Sequence, residues 1–233
     1  VHGQFIRRHV GGGAGIAMFK DIYQSGFLSV LCSVGSKPMA LWEPHLPTAT
    51  ATRVHDEDLE CSVVEIESAS VPNNLITCPP QPSTPPPSHQ RFGGGPPRKI
   101  HTLGVKLPWF IMVVRGVGGK NFSFEVEVQD DTGTNRRFRA ATHTRSSSVR
   151  SFTFSFPIHI ESNRWNQVEL NLSELTEKAF GTGYVETRKI EIHPNCRLHR
   201  VYFSELQYSD SQLPKEFRAT QSKCSGASTR RGR

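Results

Sequence analysis

An antiparallel all-β sandwich is the fold class this sequence predicts, and three observations carry it. Apolar and polar residues alternate over short runs that recur about every ten residues, the mark of half-buried strands. Trp109 to Val114 is apolar throughout, as expected of a strand covered on both faces. One segment alone, Leu172–Phe180, has the periodicity and end signals of a helix.

Residues 1–17 carry GGGAG and no periodic apolar pattern, and read as a disordered leader before a fold that starts near Met18. Phe27, Leu28, Val30, Leu31 and Val34 fit a short helix or a buried strand equally well. Gly35 to Pro38 is a turn, and Met39, Leu41 and Trp42 suggest a strand stopped by Pro44. Residues 45–57 read as loop. Val63 to Glu67 alternates, and Leu75–Cys78 is a further short strand.

Residues 79–101, PPQPSTPPPSHQRFGGGPPRKIH, form a Pro/Gly-rich insertion. Proline donates no ladder hydrogen bond and glycine adds backbone entropy, so this segment is excluded from a sheet core and reads as a solvated loop, with a docking arm of polyproline character as the alternative. After Trp109 to Val114, a glycine-rich turn leads to Phe122, Phe124, Val126 and Val128, which alternate with Ser123, Glu125, Glu127 and Gln129. Asp130 to Gly133 turns the chain into Asn135–Ala140, and the three strands read as a β-meander. Phe152, Phe154, Phe156, Ile158 and Ile160 repeat the alternation, with Pro157 placing that strand at an edge or a bulge.

Val168, Leu170 and Leu172 continue the two-residue period into the helix. Asn171 is its cap with Glu174 as reciprocal partner, Leu172, Leu175, Ala179 and Phe180 form its inner face, and Gly181 stops it. Ile190 and Ile192, then Val201 and Phe203, complete the strands. The 233 residues therefore divide into a leader 1–17, one sandwich domain 18–218 containing the insertion 79–101, and a basic disordered tail 219–233.

The formal charge of +7 invites a nucleic-acid reading until its distribution is considered. Nine of the 28 Lys and Arg lie in the leader, the insertion and the tail, which hold no acidic residue; the remaining 19 against 21 acidic residues leave the body at −2. The fold itself is therefore no basic cradle, and a nucleic-acid partner is not expected. No run approaches the ~20 apolar residues of a membrane-spanning helix, so no membrane partner is expected either. The five cysteines are dispersed and never in a CxxC pair, which argues for inert thiols over a disulfide framework or a zinc knuckle.

Catalytic signals are weak. Gly116 to Asn121 lacks the glycine spacing and the following helix of a phosphate loop and reads as a hairpin turn. The ten histidines include no HxH or HExxH pair, so no metal is expected. Cys196 with His193 has the residue types for nucleophilic catalysis but no surrounding oxyanion signature. Glu125 and Glu127 lie on an outward face, where solvation explains them. No catalytic residue, cofactor or enzymatic activity is expected. Two basic clusters remain. Arg137 and Arg139 share one strand face, Arg136 shares the other with Phe138, and Arg197 and Arg200 form a second group. These five arginines are the candidate contacts to an acidic protein.

MFKDIYQSGFLSVLCSVGSKPMALWE, LGVKLPWFIMVV, FSFEVEVQDD, RRFRA, WNQVELNLSELT, AFGTGYVET, IEIHPNCRLHRVYFS and LPKEF occur in this order. Together they resemble the cilia- and flagella-associated protein 20 family, over nearly all of 18–78 and 102–218. The resemblance implies a jelly-roll-like β-sandwich similar to carbohydrate-binding modules and a non-enzymatic role in the ciliary axoneme. The place it implies is the inner junction, where the B-tubule of a doublet microtubule closes onto the A-tubule, with centriole and basal-body association. The partners it implies are α/β-tubulin and the Parkin co-regulated protein. The alternatives from the residues are a sugar-binding module using Trp109 or Trp165 as a stacking platform, and weak nucleic-acid binding through the tails.

Overall fold

The computed structural model describes residues 17–69, 73–81, 101–161, 164–209, 211–214 and 217. They form two facing sheets and one helix. In chain order the strands are β1 (Phe27–Cys32), β2 (Glu43–His45), β3 (Ala49–Asp56), β4 (Cys61–Ser68), β5 (Leu75–Cys78), β6 (Trp109–Gly116), β7 (Ser123–Asp130), β8 (Asn135–Ala141), β9 (Ser148–Arg150), β10 (Thr153–Pro157) and β11 (Asn166–Asn171). Helix α1 (Leu172–Phe180) follows, then β12 (Tyr184–Ile192) and β13 (Cys196–Ser204).

The six-stranded sheet runs β11-β6-β13-β4-β3, and β1 joins it beside β13. β13 pairs with β6 along its whole length. On its other side it takes β4 at Cys196 to Leu198 and β1 at Arg200 to Ser204, so β4 and β1 meet end to end. The seven-stranded sheet runs β2-β5-β12-β7-β8-β10-β9, with β10 parallel to β8 and the other pairs antiparallel.

The core lies between the sheets, where the two-residue period sends alternate side chains inward. Phe110, Met112, Val114, Leu198, Val201 and Phe203 meet Phe124, Val126, Val128, Phe138, Ile190 and Ile192, all buried. The other face of β6 is covered as well: Ile111 packs with Tyr202, Leu213 and Phe217, which accounts for the unbroken apolar run. The helix ends match their signals. Asn171 Oδ1 accepts from Glu174 N at 3.2 Å, and Gly181 takes the left-handed conformation at φ 69°, which only glycine adopts without a steric cost.

Four local expectations are corrected. Residues 45–57 hold the last residue of β2 and all of β3 where a loop was expected; the Ala/Thr run ATATRV carries so little apolar contrast that its period is invisible. Met39 to Leu41 is a turn, with Trp42 N donating to Met39 O at 3.0 Å, and the strand begins at Glu43. β6, β7 and β8 are no meander, because β6 belongs to one sheet and β7–β8 to the other; the glycine-rich turn after β6 carries the chain across the sandwich and is not a hairpin. Ala17, assigned to the leader, already pairs with Thr102. The leader 1–16, insertion residues 82–100 and the tail lie outside the described residues. The insertion's feet do not: Gln81 Nε2 donates to His101 O at 3.1 Å, and Gln81 N to Glu43 Oε2 at 2.9 Å.

Candidate interaction surface

Alternation puts the charged residues of β12, β7 and β8 on the outside of the seven-stranded sheet. Register then decides which of them touch. Lys189, Glu127 and Arg137 lie side by side across three strands, and Glu191, Glu125 and Arg139 form the next row. Arg137 reaches Glu125 at 3.3 Å and Glu127 at 3.5 Å, Arg139 reaches Glu125 at 3.4 Å, and Lys189 pairs with Glu191 at 2.8 Å. Three cations and three carboxylates make this face neutral overall. Glu125 and Glu127 are not simply solvated, since their side chains are only 12% and 20% exposed beneath the arginines. Arg137 and Arg139 remain 43% and 48% exposed.

Arg136 points the other way, as the strand period requires. Its Nε donates to Asp130 at 2.8 Å, and its guanidinium lies 4.7 Å from the ring centre of Phe180 and 5.7 Å from that of Phe152. Burial raises the Asp130 pKa, but the Thr132 hydroxyl, Arg136 and the Thr134 N–H outweigh it and hold the carboxyl well below the usual range.

Arg197 and Arg200 lie on the opposite side of the sandwich, on the outer face of the six-stranded sheet. Arg197 Nε donates to Glu65 at 2.6 Å and its Nη1 to Asp56 at 3.2 Å. Asp56 has a fully buried side chain and also accepts from Trp165 Nε1 at 3.0 Å and from the N–H groups of Asp58 and Leu59. Arg115 joins it at 3.5 Å and Asp58 at 2.6 Å. Burial pushes Asp56 up, and the Trp165, Leu59 and Arg197 donors together bring it below its ordinary value.

A bulge in β13 between Leu198 and Arg200 puts both His199 and Arg200 on that outer side. His199 is wholly buried at the seam between β1 and β4: Nδ1 is 2.9 Å from Ser33 Oγ and 3.8 Å from Cys61 Sγ, with the ring against Trp165. Burial pushes its pKa down to about 4, and Arg200 adds to that shift. Arg200 is 5% exposed and its guanidinium lies 5.6 Å from the Phe217 ring centre.

The five candidate arginines thus split between two faces. Arg137 and Arg139 present the most charge to solvent; Arg136 and the partly exposed Arg197 are held by buried aspartates, and Arg200 packs against Phe217. Sequence reasoning missed Asp56, Arg115 and Trp165 as one network. Asp56 fell in the segment read as loop, and the acidic turn after it, EDLE, was the available signal.

The catalytic hints do not assemble. Cys196 Sγ faces the backbone carbonyl of His193 at 3.7 Å, while the His193 ring faces Asn74 O. Burial raises the Cys196 pKa, with Glu65 adding to it, the wrong direction for a nucleophile. Among the described residues no group of three or more His, Cys, Asp and Glu has the arrangement of a metal site, and no helix is long and apolar enough to cross a membrane. The tryptophans expected as a sugar-stacking platform are engaged elsewhere: Trp109 packs in the cluster around Tyr202, and Trp165 donates to Asp56.

The chain is similar in sequence to known proteins. The family model described as the CFA20 domain matches residues 18–221. Cilia- and flagella-associated protein 20 of Chlamydomonas reinhardtii is 40% identical over 201 residues, covering 86% of this chain and 96% of the relative. The protein of the same name in Paramecium tetraurelia is 40% identical over 201 residues, with 86% and 95% covered. Among solved structures, a family 11 carbohydrate-binding module from Clostridium thermocellum aligns over 80% of this chain and all of the module, at 8% identity and a TM-score of 0.40.

Proposed function

The chain belongs to the CFA20 domain family, and from that membership we propose that it is a non-enzymatic structural component of the ciliary or flagellar axoneme. Its place is the inner junction of doublet microtubules, linking the B-tubule to the A-tubule, and its partners are α/β-tubulin and the Parkin co-regulated protein. The observation that carries this reading is the extent of the match: the family model spans residues 18–221, and relatives named for cilia and flagella align over 201 residues, 86% of the chain. The surface supports it. A face of half-exposed, mutually paired charges suits specific contact with a charged protein, because each ion pair can exchange its partner without burying a bare charge. Arg137 and Arg139 are the contacts this reading favours; Arg136 is held by Asp130, and Arg197 and Arg200 lie on the other sheet.

Fractionation of isolated axonemes tests the proposal. Salt-washed doublet microtubules retain the protein and crosslink it to tubulin; recovery of all of it in the soluble matrix would overturn the reading.

A further inference from the structure

The two sheets end differently. Both edges of the seven-stranded sheet are blunt: β2 has three residues with Pro44 in the middle, and β9 has three residues. In the six-stranded sheet, β1 is closed by Trp42, whose indole N–H donates to Val30 O at 2.9 Å, and by a bulge at Ser29–Leu31. β3 has no such protection among the described residues. It is eight residues long, contains no proline and pairs with β4 alone.

Hydrogen bonds on the far side of β4 show which groups of β3 are left over. Ile66 O accepts from Asn195 N at 2.7 Å, and Ser68 N donates to Asn195 Oδ1 at 3.2 Å, so the main-chain groups of Ile66 and Ser68 point away from β3. In an antiparallel ladder the residues opposite them, Ala51 and Ala49, turn their own N–H and C=O outward, and so do Arg53 and His55 further along. Among the described residues, a row of donors and acceptors without a partner strand thus runs along an exposed edge. Within it Arg53 makes no ion pair among the described residues, while Arg115, Arg136, Arg137, Arg139 and Arg197 all make one.

We infer that the β3 edge is a docking site for an extended strand of another protein, which adds to the six-stranded sheet and places a carboxylate opposite Arg53. Backbone pairing supplies the attraction and the carboxylate sets the register. Charge selects the occupant. Residues 1–16, 82–100 and 218–233 contain no Asp or Glu, so none of them matches Arg53. A second copy pairing antiparallel through β3 opposes Arg53 to Ala49, Ala51, His55 or another Arg53, the residues whose main-chain groups also turn outward, and to no carboxylate within β3. An open cleft of about 380 Å³ at the start of the edge, lined by Pro47, Thr48, Glu67, Ala69 and Lys120, leaves room for the end of the added strand. The inference stands apart from the axonemal reading, since it depends on the edge and not on the location of the protein.

The test titrates the full chain with blocked eight-residue peptides of alternating Thr and Val carrying one central Glu, one central Lys, or the Glu together with a proline. Amide shifts and hydrogen exchange at residues 49–55 are the readout. The Glu peptide binds and protects Ala51 and Arg53, while the Lys and proline peptides bind at least about fivefold more weakly. Arg53→Glu reverses the order of the Glu and Lys peptides. Ala51→Pro removes only an outward N–H, so it leaves the fold intact by circular dichroism and abolishes peptide binding. Three results overturn the inference: no binding by the Glu peptide, binding indifferent to both variants, or protection of 49–55 without peptide. In the third case dependence on protein concentration identifies self-pairing, and loss on deleting residues 218–233 identifies the tail.

Discussion

The outer faces of the two sheets carry the same residue types and use them in opposite ways. On the seven-stranded sheet Arg137 and Arg139 lie over Glu125 and Glu127 with their guanidinium groups half in water. On the six-stranded sheet Arg197 and Arg115 close over Asp56, whose carboxylate is removed from solvent altogether. Coulomb attraction is weak in the first setting because water screens it. In the second it is strong, and it is needed to offset the cost of burying the charge. The lesson is that one face is held together by its charges and the other merely wears them.

Substitutions at Asp56 should therefore have the largest effect. Asp56→Ala leaves Arg197, the Trp165 indole N–H and two backbone N–H groups without their shared acceptor, and about 4 kcal/mol of stability should be lost in urea unfolding. A loss no larger than that of an exposed pair would erase the contrast between the faces.

The next effect belongs to His199. Its folded pKa of about 4 lies below the ordinary 6.5, so the unfolded chain binds a proton that the folded chain refuses. Stability is full above pH 6.5 and falls as pH drops toward 4, by about 3 kcal/mol if the whole shift is expressed. His199→Gln should flatten the unfolding midpoint across that window. The losses below pH 4, where the depressed Asp56 and Asp130 carboxylates protonate, should remain. A wild-type slope between pH 6.5 and 4 that survives His199→Gln would place its origin elsewhere than this buried ring.

The contrast also explains how much was legible in the sequence. The outward face of Glu125 and Glu127 and the shared face of Arg137 and Arg139 were readable because a two-residue period is a local property; that the two sets pair across the strands was not. The helix caps at Asn171 and Gly181 were local too. The Asp56 network was not, because it gathers β3, β4, β6, β13 and the residue before β11, and long-range strand order leaves no trace in spacing. The bulge at His199 hides even a local fact, since it sends two consecutive residues to one side. Arg200 therefore looked like a surface cation and is a buried one. β3 was lost because alanine and threonine alternate without apolar contrast.

The smallest expected effect on stability is the most informative about function. Arg137→Ala and Arg139→Ala remove exposed partners of Glu125 and Glu127, and each should cost less than about 1 kcal/mol. Reversing both, Arg137→Glu with Arg139→Glu, puts like charges next to Glu125 and Glu127. That variant should still fold, with a lower midpoint that recovers in salt as screening weakens the repulsion. Its retention on salt-washed doublet microtubules should nevertheless fall sharply, because contact would now set acidic residues against an acidic partner. Arg197→Ala should do the reverse, lowering the unfolding midpoint and leaving retention of the folded fraction unchanged. If the double reversal is retained as well as the wild type, the exposed arginines are only worn by their face and make no contact that the proposed tubulin partner depends on.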